Sequence, residues 1–272
     1  VDSGKRIEDN EETMNITEAL NTVDIDRLDA EVLLAYHLHK NREWLLAHPE
    51  EEIDIRGFIK MVNRRKLNEP VAYIVGSQEF YGRDFSVDPR VLIPRPSTER
   101  LVDLTLDFLD DGEDKIRELD IKIMGVAKKF GDLSDVKLIV DLCTGSGCIA
   151  ITLVFETTKK IIATDISSDA LEVAKQNATK HGVLDRIDFR LGDLADPLSD
   201  IAEPFIIVSN PPYIPQEEEL MPDVADFEPH LALFSGVDGS DAVKKICQNA
   251  QQNPLCRGCV VECRTEHLNN LV

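Results

Sequence analysis

Beyond residue 136 the chain alternates short apolar runs with longer stretches of mixed polarity. Leu138-Ile139-Val140, Ile161-Ile162-Ala163, Phe205-Ile206-Ile207-Val208 and Cys259-Val260-Val261 are each too short for a helix. Continuous apolar runs of that length predict strands buried on both faces, and Ile187-Asp188-Phe189-Arg190-Leu191 predicts another. Strands alternating with helices imply a parallel α/β sheet. Residues 13–67 read differently. Ile16, Leu20, Val23, then Leu28, Val32, Leu33, Tyr36, then Phe58, Ile59, Val62 recur at helical spacing, with Asp26 placed to cap the second helix. Residues 71–87 alternate β-branched and aromatic side chains around Gly76 and Gly82, which predicts a β-hairpin. Pro94-Arg95-Pro96 stops it, and a helix is expected over 98–109. Residues 110–135 are charged and poorly patterned, as in a surface insertion, with a short helix possible over 116–124. The pattern divides the chain into a helical domain over 1–70, a hairpin linker over 71–92 and an α/β domain over 93–272.

The 272 residues, 43% of them hydrophobic, can bury cores of that extent. A formal net charge of −21 argues against tight, sequence-blind binding of nucleic acid, because phosphate contacts dominate such affinity. It suits a protein partner with a basic patch. No run of 18 apolar residues predicts a membrane span. The six cysteines fall mostly in apolar runs, as free thiols in a reducing compartment do. That fits the cytoplasm, or a mitochondrion or plastid after removal of a targeting segment, since the sequence does not start with Met. Cys256, Cys259 and Cys263 invite a zinc reading, but two of them belong to a buried strand, and core packing is the expectation.

The sharpest chemical signal is Asn210-Pro211-Pro212-Tyr213 at the end of an apolar strand. Two prolines fix φ and remove two backbone donors, leaving carbonyls free to accept. With the Asn210 amide oxygen and the Tyr213 ring, this makes a mouth for a planar amide or amine. Upstream, Asp141-Leu142-Cys143-Thr144-Gly145-Ser146-Gly147 joins a strand to a helix expected near Cys148, and its glycines let backbone approach a ligand. Ala150 stands where a dinucleotide fingerprint needs its third glycine, so the turn fits a nucleoside without a pyrophosphate better than a nicotinamide. Asp165, about 20 residues on, is spaced to accept ribose hydroxyls, and Asp193 ends another strand. All of these would lie at the carboxyl edge of the sheet, where open α/β folds bind ligands.

That order resembles the class I S-adenosylmethionine-dependent methyltransferases. Glu69-Pro70-Val71-Ala72-Tyr73, Glu79-Phe80-Tyr81-Gly82, Ile93-Pro94-Arg95-Pro96-Ser97-Thr98-Glu99 and Glu228-Pro229 followed by Ala232-Leu233-Phe234 narrow it to the HemK/PrmC family. Members of that family methylate the side-chain amide nitrogen (N5) of a glutamine in the Gly-Gly-Gln loop of peptide-chain release factors. The resemblance implies a Rossmann-like methyltransferase sheet preceded by a helical substrate-recognition domain and a β-hairpin. It implies S-adenosylmethionine as cofactor and a release factor as protein substrate, gripped by the helical domain beside the mouth. Asn210, Pro211, Pro212 and Tyr213 would hold the glutamine, with Asn210, Pro211 and Tyr213 in the catalytic roles. Asp141, Cys143, Thr144, Gly145, Ser146, Gly147, Asp165, Asp193, Leu194 and Asn210 would surround the cofactor: Asp141 facing its ammonium, Gly145 to Gly147 its methionine part, Asp165 its ribose and Asp193 its adenine. Arg95 and Glu99 would brace the site. No metal is implied.

Several positions depart from the family pattern. Ser97 stands where an acid is usual, Cys143 where a glycine is usual and Phe205 where Asp is frequent. A side chain at Cys143 is expected to crowd the methionine end of the cofactor. A class I sheet usually carries two further strands after the one predicted at 259–262, and only ten residues follow Glu262, so either the chain is truncated there, or residues are missing, or the fold is incomplete. Methylation of a ribosomal-protein glutamine, or of an exocyclic amine on a flipped base, uses the same kind of mouth and is the alternative.

Overall fold

The computed structural model describes residues 13–111 and 125–268. They divide into two compact units, one running to Gly76 with Met221–Phe227, the other comprising Ser77–Leu220 and Glu228 onward.

In the first unit, α1 (Ile16–Thr22) begins with a reciprocal cap: Asn15 accepts from the Glu18 N–H, and Glu18 accepts in return. The second helix, α2 (Arg27–Leu38), is capped by Asp26 as its sequence predicts, the carboxylate accepting from the Leu28 N–H at 2.8 Å. Two further helices follow, α3 (Arg42–Ala47) and α4 (Arg56–Lys66). Leu33, Leu34, Leu45, Ile55 and Phe58 form the core they share. Two three-residue strands, β1 (Thr13–Asn15) and β2 (Glu52–Asp54), pair antiparallel. They are too short to carry a readable period and were not expected from the pattern. Residues 71–75, expected as the first arm of a hairpin, instead form α5 (Val71–Val75). Pro70 presets the turn into the helix, and Gly76, at φ 76°, ends it in the left-handed conformation.

The hairpin itself is β3 (Ser77–Phe80) and β4 (Arg83–Ser86). Tyr81 and Gly82 both have positive φ (53° and 71°), the type I′ geometry that matches strand twist. After α6 (Pro96–Asp111), the expected insertion contributes a strand that its composition does not announce: β5 (Gly125–Lys129) lies antiparallel beside β10 (Cys256–Glu262). The short helix expected over 116–124 lies outside the described residues. The remaining strands are β6 (Leu138–Leu142), β7 (Lys160–Asp165), β8 (Ile187–Leu191) and β9 (Phe205–Ser209). The sheet order is β5-β10-β9-β6-β7-β8, parallel except for β5. This is the class I methyltransferase arrangement expected from the sequence, with an antiparallel edge supplied from upstream.

The two-residue strand period sorts side chains into two cores. Ile139, Ile206, Val208 and Val260 face α6 and α7 (Cys148–Glu156), whereas Val140, Phe205, Ile207 and Val261 face α10 (Asp241–Gln252), the helix that follows α8 (Ser168–Lys180) and the short α9 (Pro222–Ala225). With both faces covered, the central strands β6 and β9 must be buried throughout, which matches their apolar runs, whereas the edge strands β5 and β8 carry polar residues. The six cysteines are free, five of them buried, in these cores. No helix among the described residues is long and apolar enough to cross a membrane.

Candidate active site

Strand order reverses at β6, whose neighbours are β7 on one side and β9 on the other. Such a switch point leaves a crevice beyond the strand ends. A cavity of about 200 Å³ opens there, lined by Cys143, Thr144, Gly145, Ser146, Asp165, Asp193, Leu194, Asn210 and Pro212, with Thr98 and residues 90–92 on the facing wall. Most of the residues predicted for a ligand site are therefore brought together in one place.

Backbone hydrogen bonds hold the cradle. The Gly145 N–H donates to Asp165 Oδ2 at 2.9 Å, and the Ser167 N–H donates to Oδ1 at 2.9 Å. The carboxylate keeps lone-pair capacity for a ligand hydroxyl. Burial nevertheless holds the Asp165 pKa above the ordinary aspartate value, against those two bonds and the approach of the Ile166 N–H. Gly145 has φ 53°, and a Cβ built there would meet nothing within 4 Å. That open space is where a bound group can approach the backbone.

Gly147 has a different job. At φ 81° its Cβ would come within 3.1 Å of Ala174, so the missing side chain lets α7 pack against α8 and does not line the cavity. Asp141 does not line the cavity either. It is fully buried behind the loop, where Oδ2 accepts from the Thr144 hydroxyl at 2.6 Å and the Ala150 N–H at 3.2 Å. Its other oxygen has no partner among the described residues. Desolvation raises its pKa to about 7, the two hydrogen bonds opposing the rise. It braces the loop from within.

Cys143 occupies a left-handed position, φ 59°, which L side chains adopt at a cost of about 1 kcal/mol. That is the physical reason for glycine to be usual there. The side chain lines the cavity, but its thiol meets Ser209 and packs against the β-sheet core on the α10 side, so it is held by protein contacts. Asp193 also lines the cavity, and Lys245 donates to its Oδ2 at 2.5 Å, leaving Oδ1 for a ligand.

Side chains from distant segments hold the mouth. Asn210 Nδ2 donates to Thr98 Oγ1 at 3.1 Å. The Tyr213 hydroxyl donates to Glu262 Oε1 at 3.1 Å, and burial beside that carboxylate pushes its pKa up. Tyr213 and Pro211 do not line the cavity, whereas Pro212 does. Downstream, the Ile214 N–H donates to the Leu233 carbonyl, and the Ser235 N–H donates to the Ile214 carbonyl. The segment 232–236 thereby clamps the exit of the mouth. Gly239 fits close beneath it, its absent Cβ lying 2.4 Å from the Tyr213 carbonyl. Arg95 pairs with the buried Glu228, which also accepts from the Ile93 N–H at 3.2 Å. Glu99 accepts the Tyr81 N–H at 3.0 Å, tying the hairpin turn to α6.

Thr98, Glu228, Glu262 and Asn177 were not singled out by sequence reasoning as site residues with these roles. Asn177 Nδ2 donates to the Ser146 and Ser86 carbonyls, joining the Gly-rich loop to the hairpin. A polar residue on the apolar stripe of α8 was the available signal.

Residues 14–76 match the PrmC N-terminal domain, and residues 126–226 match the methyltransferase small domain. The release factor glutamine methyltransferase of Koribacter versatilis is 38% identical over 81% of this chain and 72% of its own length. That of Nitratidesulfovibrio vulgaris is also 38% identical, over 84% and 72%. The chain belongs to the release factor glutamine methyltransferase family. A bifunctional methyltransferase of Rickettsia typhi is 39% identical over 88% of this chain but 46% of its own length, so the chain spans about half of that relative. S-adenosylmethionine is the cofactor of this family, and the cavity fits it. The Gly145 opening admits its close approach, and Asp165 retains lone pairs for a ribose.

Proposed function

We propose that this chain transfers a methyl group to the side-chain amide nitrogen (N5) of the glutamine in the Gly-Gly-Gln loop of a peptide-chain release factor. The observation that carries this reading is that the amide-accepting mouth and the nucleoside cradle open onto one cavity: Asn210 and Pro212 share its wall with Cys143, Gly145 and Asp165. S-adenosylmethionine, when bound, supplies an electrophilic methyl group.

The chain's own residues do the rest. Asn210 Oδ1 and the Pro211 carbonyl accept the two N–H groups of the glutamine amide. An amide nitrogen is a weak nucleophile because its lone pair is delocalised into the carbonyl. Holding it in line, and facing its growing positive charge with fixed acceptors, is the main source of rate. Orientation alone supplies at most about 7–11 kcal/mol. Pro211 and Pro212 keep those acceptors rigid, and Tyr213 is fixed beside them by Glu262. No strong base is required, because an N-alkylated protonated amide loses its proton readily to water. Thr144, Ser146 and Leu194 complete the wall of the cradle, and Asp193 offers Oδ1 to an adenine amino group.

The net charge of −21 favours a protein substrate over nucleic acid. The experiment is methyl transfer from labelled S-adenosylmethionine to a purified release factor and to its loop Gln→Ala variant. Label on the first and none on the second is expected. Label on ribosomal protein alone would move the substrate assignment to the alternative.

A further inference from the structure

We propose that Thr98 and Glu262 are positioning residues that decide which way the Asn210 carboxamide faces, an inference that rests on the glutamine-amide reading of the mouth. The two ends of a carboxamide have nearly the same shape and opposite hydrogen-bonding character. A glutamine amide presenting N–H groups needs Asn210 to offer oxygen. If the Asn210 NH2 faced the cavity, two donors would meet and the substrate nitrogen would be turned away.

A threonine hydroxyl does not settle this by itself, since it both donates and accepts. Its neighbour settles it. Thr98 is 2% exposed and Glu262 is 4% exposed. Strands β9 and β10 pair with Ser209 opposite Val261, so residues 210 and 262 leave the sheet side by side. The Ser97 and Thr98 hydroxyls stand against the Glu262 carboxylate, which takes the Tyr213 hydroxyl on Oε1. Oε2 makes no hydrogen bond of good geometry among the described residues, which leaves capacity at this carboxylate for a proton from Thr98. An ionised carboxylate is the stronger acceptor, so it claims the Thr98 proton. Thr98 can then only accept from Asn210, and it does so from Nδ2 at 3.1 Å. Asn210 Oδ1 is left for the substrate.

The groups facing Glu262 are the Tyr213, Ser97 and Thr98 hydroxyls, the more distant Arg95 guanidinium and the neighbouring Cys263 thiol. Burial raises the Glu262 pKa, and the hydroxyls and Arg95 oppose the rise. Protonation would return a donor to the relay and allow Thr98 to donate to Asn210 Oδ1. The oriented state is therefore the one present at higher pH and lost as pH falls through the Glu262 pKa.

Two readouts test this, and they fail separately from the functional reading. In the free protein, NMR of the Asn210 side-chain NH2 should show close contact with the Thr98 methyl group at neutral pH. That contact should weaken in Glu262→Gln, whose neutral amide is a weaker acceptor than a carboxylate and can itself donate to Thr98, freeing the Thr98 proton for Asn210. If the contact is the same in both proteins, with melting temperatures showing both folded, the proposal is overturned whatever the substrate. In the transfer assay, Thr98→Val should lower kcat about 30-fold, because misdirecting one acceptor costs on that order. KM for the release factor should change less than about threefold, since contacts remote from the reacting nitrogen dominate it. Thr98→Ser should restore most of the lost rate. Equal kcat in Thr98→Val and wild type would overturn the proposal, as would a Ser variant no better than Val. Absence of transfer by the wild type would instead sink the functional reading, while the NMR comparison would still decide the orientation.

Discussion

The two walls of the cavity are built in different ways. The cradle, residues 141–193, is made within two successive strand–loop–helix units, and its bonds run mostly from backbone N–H groups to Asp141 and Asp165. The mouth is made from side chains 112, 49 and 133 positions apart: Thr98 with Asn210, Tyr213 with Glu262, Arg95 with Glu228. A wall of backbone depends on φ angles and absent side chains. A wall of side chains depends on each functional group keeping its partner. The cradle should therefore fail by backbone strain or lost space, and the mouth by loss of one polar atom.

The sharpest break of that contrast is Asn210→Ala. It should lower kcat about 10³-fold by removing a preorganised acceptor, while S-adenosylmethionine binding, measured by calorimetry, changes only a few-fold. Equal loss of cofactor binding would show that the two walls are not separable.

Asp141 gives the next effect, on stability. Its folded pKa of about 7 lies above the ordinary 3.8, so the folded state prefers the neutral acid. The stability this gives is fully present below about pH 4 and declines as pH rises toward 7. The decline should be on the order of 4 kcal/mol across that window. Urea unfolding of wild type and Asp141→Asn at pH 4.5 and 7.5, without cofactor, should show the Asn variant lacking most of the decline. Parallel curves would mean that Asp141 ionises in the fold at little cost.

Gly145→Ala tests the cradle directly. The new methyl enters open space, so strain at φ 53° should cost only about 1 kcal/mol of stability. Cofactor affinity should fall at least tenfold, because the methyl occupies the approach path. An unaffected affinity would place the ligand elsewhere on the wall.

Cys143→Gly should have the smallest effect. Relief of left-handed strain and loss of thiol packing offset each other within about 1 kcal/mol. Affinity for S-adenosylmethionine should rise a few-fold if the thiol crowds the cofactor, and stay constant if Ser209 holds it clear. Calorimetry separates the two.

The difference between the walls also explains what could be read in advance. The buried strands, the Gly-rich turn, Asp165 and the Asp26 cap follow from periodicity and turn chemistry within a few residues. Residues 71–75 did not, because five apolar positions between Pro70 and Gly76 suit a single helical turn as well as a strand. Strand β5 was hidden because Gly125-Val126-Ala127-Lys128-Lys129 carries little apolar signal, and only pairing with β10 makes it a strand. Asp141 was legible as a strand-end acid, but its burial behind the loop was not.

By itself, then, the sequence determined the α/β order, the Gly-rich turn and the chemical character of Asn210-Pro211-Pro212-Tyr213. These depend on backbone sterics and on polarity patterns short enough to act locally. Only the tertiary structure decided that Thr98 meets Asn210, that Glu262 stands behind both Thr98 and Tyr213, and that Glu228 receives Arg95. Those contacts join segments far apart along the chain, and a hydrogen bond forms only where folding brings donor and acceptor within about 3 Å.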